Sequence, residues 1–428
     1  MKPEIKERID KIKRGEMPDG YKTSKIGVIP EDWDVKHLED ISNINPRKEV
    51  LDENDTVSFI SMSDVSDDAR LISYQPRLYK EVFKGFTSFR DGDVLVAKIT
   101  PCFENGKGAL VDNLINKTGF GSTEFHVLRS KKNGDELFIY YHTVTDRFRK
   151  IGEKNMTGTA GQKRISTDFV KGFLIPYPRN DIERKKIASI LSTWDKAIEL
   201  KEKLIEQKKQ QKKGLMQKLL TGEVRLPGFE GEWEQVRLGE LAKLQGGYAF
   251  KSSMFKEKGI PIVRISNILP EITDYNQEFV YYDEIKISDN FMVQYGDILI
   301  AMSGATTGKV GIYKKNEIAY LNQRVGKFVN LDKSKLDYGY LYYLVTSTKF
   351  KTQLTEELAT GAQPNISSKQ IENFKFKIPS INEQISISKI LAQFDKFISL
   401  QEKELIYLKQ QKKGLMQLLL TGKVRVKV

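Results

Sequence analysis

The sequence is poor in the residues that anchor most covalent and metal chemistry. One cysteine, Cys102, stands among 428 residues. A lone cysteine excludes an internal disulfide framework and fits a reducing, cytoplasmic setting. Its ordinary role is that of a small, partly buried residue. The three histidines, His37, His126 and His142, share no metal-ligand spacing. No apolar run approaches the roughly 20 residues that cross a bilayer. The N-terminus, MKPEIKERIDKIKRG, is charged and lacks an apolar h-region, so no secretory signal is read there.

Missing motifs exclude more. SGATTGKVG (Ser303–Gly311) comes near a phosphate-binding loop, but only three residues separate Gly304 from Gly308. Val310 also stands where a magnesium-holding Ser or Thr belongs. Glu-x-Lys triplets such as Glu284–Lys286 resemble nuclease metal sites, yet in a chain with 30% charged residues they arise by chance. No Gly-rich loop joins a strand to a helix as in dinucleotide-binding folds. No Asn-Pro-Pro-aromatic tetrapeptide of methyltransferases is present, and nothing assembles into a nucleophile, base and orienter. The chain reads as a binder and not an enzyme, with no cofactor or metal of its own.

What is there is duplication. QQKKGLMQKLLTG (Gln210–Gly222) recurs as QQKKGLMQLLLTG (Gln410–Gly422), 200 residues on, with Lys218 against Leu418 as the one change. LPGFEGEW before Trp233 answers IGVIPEDW before Trp33, and each tryptophan leads into a short helix. SFISMSDV (Ser58–Val65) answers PIVRISNI (Pro261–Ile268). GDVLVAKIT (Gly92–Thr100) answers GDILIAMSG (Gly296–Gly304), each a turn followed by a β-branched strand. A helix is expected late in each unit, over Leu137–Ile151 and Tyr338–Leu358. A polar loop follows, TGTAGQKRIS (Thr157–Ser166) or ATGAQPNIS (Ala359–Ser367), and then a strand ending at proline.

Two long helices begin after Pro178 and Pro379. Apolar residues recur every three or four positions: Ile187, Leu191, Trp194, Ile198 and Ile205, then Ile387, Leu391, Phe394, Ile398 and Leu405. That spacing makes a narrow coiled-coil seam, and at about 1.5 Å per residue each helix is about 55–60 Å long. The seam needs a partner, and the other copy of the repeat supplies it. Lys201, Lys208 and Lys212 interrupt the seam of the first helix. Gly222 and Gly422 stop the helices. The net charge of +13 and pI near 9.3 suit a polyanionic partner. Residues Glu183–Thr221 carry +6 of it and Glu383–Thr421 carry +2.

Taken together, the repeated QQKKGLMQ helices, LPGFEGEW, the paired GD strands and the strand-to-Pro endings resemble the DNA-specificity (S) subunit of a type I restriction-modification system. The resemblance covers essentially the whole chain. It implies an α+β fold, internally duplicated, with two β-rich target-recognition domains separated by two long antiparallel coiled-coil helices. The expected divisions are an N-terminal helical segment at 1–25, recognition domains at 26–180 and 223–380, and spacer helices at 181–222 and 381–428. The resemblance further implies a double-stranded DNA target read in two halves, two methylation subunits docked on this chain, and restriction subunits in the complex. S-adenosylmethionine, ATP and magnesium are then expected on those partners.

Base reading uses Arg or Lys for guanine and Asn or Gln for adenine, on exposed loops. The candidates in the first domain are Lys98, Asn105, Lys107, Gln162, Lys163 and Arg164. In the second they are Arg264, Asn267, Thr306, Thr307, Lys309, Gln323, Arg324, Gln363 and Asn365. Each competes with the ordinary reading of a solvated loop residue. A coiled-coil scaffold for a protein or carbohydrate ligand would explain the helices, but not two basic units whose polar loops differ on a shared frame. A fused methyltransferase or nuclease lacks its motifs.

Overall fold

A computed structural model describes residues 3–159, 161–269, 279–359 and 364–427. The chain forms two compact units: residues 1–202 with 404–428, and residues 203–403. Each unit therefore holds the start of one long helix and the end of the other.

In the first unit, one four-stranded sheet runs in the order Gln75–Leu78, Thr56–Ile60, Thr118–Gly121, Thr87–Arg90. A second runs Ser42–Ile44, Phe125–Ser130, Val94–Ala97, Gly108–Leu110. The second unit repeats both orders. Val280–Tyr282, Ile260–Val263, Ala319–Leu321 and Met292–Val293 form one sheet, and Ala242–Gly246, Val325–Asn330, Ile298–Ala301 and Val310–Ile312 form the other. A parallel strand pairing recurs as well, Thr56–Ile60 with Thr118–Gly121 and Ile260–Val263 with Ala319–Leu321. The GD turns thus lead, as expected, into short strands, Val94–Ala97 and Ile298–Ala301, buried on both faces. The strand that opens at Trp33 pairs with Leu174–Pro178 to carry each proline-ended strand into its long helix. In the second unit Glu234–Arg237 pairs with Lys375–Ile378 in the same way.

The late helix of each unit is two helices, not the single amphipathic one expected. Glu136–Thr143 is followed by Asp146–Lys154, and Tyr338–Thr346 by Thr348–Ala359. A hydroxyl makes each break. Thr145 Oγ1 accepts the amide of Phe148 at 3.2 Å, and Ser347 Oγ accepts that of Phe350 at 3.2 Å. The first helix of each pair is buried nearly all round, through Phe138, Ile139 and Tyr141 or Tyr340, Leu341 and Leu344.

The long helices span Asp181–Thr221 and Ile381–Leu420. Asn180 Oδ1 caps the first by accepting the Ile182 amide at 2.8 Å. Within the first unit, Ile187, Ala188 and Leu191 pack with Met416, Leu419 and Leu420 in one apolar cluster. Within the second, Ile387 and Leu391 pack with Leu219, Leu220, Leu215 and Met216. The pairing is antiparallel, start against end, as the resemblance implies. Its polar positions are used. Lys412 donates to Asp195, whose other oxygen accepts the Tyr141 hydroxyl at 2.7 Å. Lys212 donates to Asp395, whose other oxygen accepts the Tyr343 hydroxyl at 2.8 Å. Lys201 bonds Glu404 at 2.8 Å, so two of the three lysines that interrupt the first seam are cross-helix partners. Lys208 instead donates along its own helix to Gln211.

Both helices end on a glycine with positive φ, +74° at Gly222 and +70° at Gly422. At Gly422 a Cβ would also meet Pro30 at 2.5 Å, so glycine lets the C-terminal tail reach the N-terminal strands. There Tyr21 donates its hydroxyl to Gly422 O at 2.7 Å, and Arg425 forks between Asp32 and Glu183. Glu183 is 1% exposed and also accepts from Trp33 Nε1 at 3.1 Å. Arg225 makes the same fork onto Glu383 in the second unit, but there the contact lies in an unbroken stretch of chain. Arg425→Ala leaves a buried carboxylate uncompensated and frees the tail. We expect up to about 3 kcal/mol lost from the first unit and faster tryptic cleavage at Lys423. Limited proteolysis and urea unfolding check this. Wild-type behaviour in both contradicts the latch.

Two histidines are buried without charge. Burial pushes His142 down to about 3 and His126 to about 4. The unfolded chain takes up these protons near the ordinary 6.5, while the folded chain refuses them. Stability contributed above that value is therefore lost as pH falls from about 6.5 through about 4, at about 1.4 kcal/mol per pH unit for each histidine. His142→Phe should flatten the pH dependence of unfolding between pH 6 and 4 by about one proton. An unchanged slope contradicts the assignment.

Candidate nucleic-acid interface

The interface of the first unit is assembled from three segments that close on one another. After its buried strand, Lys98 donates its amide to Glu124 O at 2.7 Å and accepts from Ile165 N at 3.0 Å. Thr100 N bonds Lys163 O at 2.9 Å. Thr157 and Arg164, near the two ends of the polar loop, exchange both backbone bonds. The 98–100, 122–124 and 162–165 segments thus meet at one patch. His126 supports it from behind, with Nε2 3.2 Å from Ile165 O.

The second unit builds the same frame. Met302 N bonds Arg324 O at 2.9 Å, and Ile366 N bonds Met302 O at 3.0 Å. Met302, Arg324 and Ile366 hold the places of Lys98, Glu124 and Ile165. The amide of residue 124 donates to Ser122 Oγ, and the amide of residue 324 donates in the same way to Asn322 Oδ1.

The candidates chosen from the sequence separate into several kinds. Gln162, Lys163 and Arg164 are exposed on the first patch, and Gln323, Arg324 and Asn365 on the second. Asn105 is exposed on the neighbouring 101–107 turn. Lys98 is half-buried and donates Nζ to Thr123 O at 2.8 Å, and burial lowers its pKa. Lys107 is a brace: its Nζ bonds Met62 O at 3.0 Å and Val65 O at 2.7 Å. Thr307 ties the turn to the loop through Pro364 O. Lys309 is partly buried and its carbonyl accepts the Ala301 amide.

Asn267 is not on an exposed loop. It is 1% exposed, and its Oδ1 accepts the Arg264 amide at 2.9 Å, a cap on the 265–267 turn. That turn packs on Gly304–Thr306, where the Cβ of an alanine at Gly304 would stand 3.4 Å from Ile265. Arg264 Nε, Asn267 Nδ2 and Thr306 Oγ1 are buried there with no partner among the described residues. Gln363 lies outside the described residues.

One member of the first patch escaped the sequence reading. Glu124 takes the Arg164 guanidinium on its carboxylate, with Nε at 3.0 and 3.1 Å and Nη2 at 2.8 Å. Arg164 Nη1 bonds Gln162 O at 3.1 Å. The carboxylate raises the already high pKa of the guanidinium. The signal available in the sequence was the 200-residue offset from Arg324, which places an acid and a base at one point of the frame. Among the described residues no cluster of His, Cys, Asp and Glu could hold a metal ion. No helix among them is long and apolar enough to cross a membrane.

Known proteins share this architecture. The family model described as the type I restriction modification DNA specificity domain matches twice, over residues 30–210 and 230–410. The MjaVIII specificity subunit of Methanocaldococcus jannaschii is 29% identical over 422 residues, spanning 93% of this chain and 94% of the relative. The EcoEI specificity subunit of Escherichia coli is 37% identical over 183 residues, 42% of this chain and 30% of the relative. The crystal structure of a type I restriction-modification S subunit from M. genitalium has the same fold, with TM-score 0.57 at 17% identity over 91% of this chain and 96% of that one. With two matches of the family model covering most of its length, the chain belongs to the type I restriction-modification DNA specificity family and is a specificity subunit.

Proposed function

We propose that this chain reads a bipartite double-stranded DNA site, one half with each β-rich domain, without catalysing any reaction itself. The observation that carries the proposal is the repeated frame with unlike side chains at matched positions. Lys98 stands against Met302, Glu124 against Arg324, and Arg164 is one residue before Ile165 as Asn365 is before Ile366. Two shared backbone bonds carrying exchanged polar chemistry are what two readers of different sequences need. The reading residues are assigned to the exposed members of each patch, with Lys107, Asn267 and Thr307 shaping the turns beneath them. The domains are taken as 26–180 and 223–380, with the helices 181–222 and 381–428 as spacers and 1–25 as an N-terminal segment.

The helices carry apolar residues outside the seam. Leu200, Ile406 and Tyr407 are exposed in the first unit, and Phe397 and Leu400 in the second. Exposed apolar side chains on a structured helix favour a protein partner. We assign them to two methylation subunits, through which the restriction subunits join. S-adenosylmethionine, ATP and magnesium then belong to those partners, and the complex works in the cytoplasm.

The test exchanges one domain. Residues 26–180 are replaced by the matching unit of a relative, and methylated sites are mapped after co-expression with the partner subunits. One half of the methylated sequence should change while the other half and the gap persist. If both halves change together, the modular reading fails.

A further inference from the structure

We infer that Glu124 is a specificity-determining residue of the first domain, which aims Arg164 at a base and denies it to the phosphate backbone. This rests on the DNA-reading function proposed above. The carboxylate engages Nε and one side of Nη2, and Gln162 O engages Nη1. The guanidinium is therefore fixed in plane and direction before any ligand arrives, while its side chain stays 45% exposed. The remaining N–H groups of Nη1 and Nη2 form the edge available for the O6 and N7 acceptors of guanine.

Glu124 is itself anchored. Its carbonyl accepts the Lys98 amide and its own amide bonds Ser122 Oγ at 3.2 Å, so the carboxylate rises from a turn held on both sides. Its charge has a second effect. An acid in a basic patch repels phosphate, which weakens sequence-independent binding and leaves the base contact to supply the affinity. A buried structural ion pair has neither property. This pair is at the surface, where such pairs add little to stability. The second patch has no acid at this place. Arg324 occupies it instead and makes no ion pair among the described residues.

The experiment uses the full chain assembled with its methylation subunits. Wild type first selects sites from a randomised duplex library. Glu124→Gln and Arg164→Ala are then selected in parallel, and binding to an unrelated duplex is measured over a salt series. Both variants should lose discrimination, by about tenfold or more, at the same one or two base pairs of one half-site. The other half-site and the gap should be unchanged. Glu124→Gln should also bind the unrelated duplex more tightly, while Arg164→Ala should bind it no more tightly than wild type. The charge-swapped E124R/R164E keeps an ion pair, so it should melt like wild type yet still lose the preference. If Glu124→Gln selects the wild-type sequence with wild-type non-specific affinity, Glu124 is not a specificity residue and the two-part reading stands. If wild type itself selects no two-part sequence, both fall.

Discussion

The antiparallel pairing of the two long helices is the constraint on which the rest of the structure depends. Neither helix has an apolar face wide enough to stand alone. In each unit the start of one helix and the end of the other complete the core beneath the β-rich domain. A cation from the end of one helix reaches an aspartate near the start of the other, Lys412 to Asp195 and Lys212 to Asp395. A tyrosine from the domain closes on the same aspartate each time. These polar contacts fix register, because a helical slip would separate both partners from the aspartate. The glycine and arginine beyond each helix end repeat the logic, with Gly422 and Arg425 doing by contact what Gly222 and Arg225 do within a continuous chain.

Upon this scaffold the domains separate what must stay from what can vary. Strand order, the parallel strand pairing and the three-segment frame are the same in both. The side chains projected from the frame differ in charge and size. Backbone hydrogen bonds hold the frame whatever side chains it carries, so the polar residues are free to diverge. The exceptions mark where polar groups serve the frame itself. Lys107 braces two carbonyls and Asn267 caps a turn, and neither is offered outward.

Much of this was legible in the sequence because it obeys local rules or repeats. The 200-residue offset exposed the duplication, the three-four spacing exposed the seam, and GD before β-branched residues marked the central strands. The proline endings marked the helix starts. The split of each late helix was missed because Thr145 and Ser347 look like ordinary helix-surface residues until their hydroxyls are seen capping. Asn267 looked like a loop reader because composition cannot tell a buried cap from an exposed amide. Glu124 was passed over because the search favoured cations and amides, and its meaning appears only when the loop folds Arg164 onto it.

The proposal that the helices set the spacing of the half-sites is open to a direct measurement. Four residues are inserted after Lys203 and four after Lys403, which adds nearly one turn to each partner and keeps the seam close to phase. At about 1.5 Å per residue the pair lengthens by about 6 Å, close to two base-pair steps of about 3.4 Å. With both half-site sequences unchanged, the preferred gap in methylated DNA should grow by about two base pairs. A variant that assembles and melts like wild type but keeps the original gap would contradict the view that the paired helices set the distance between the two readers.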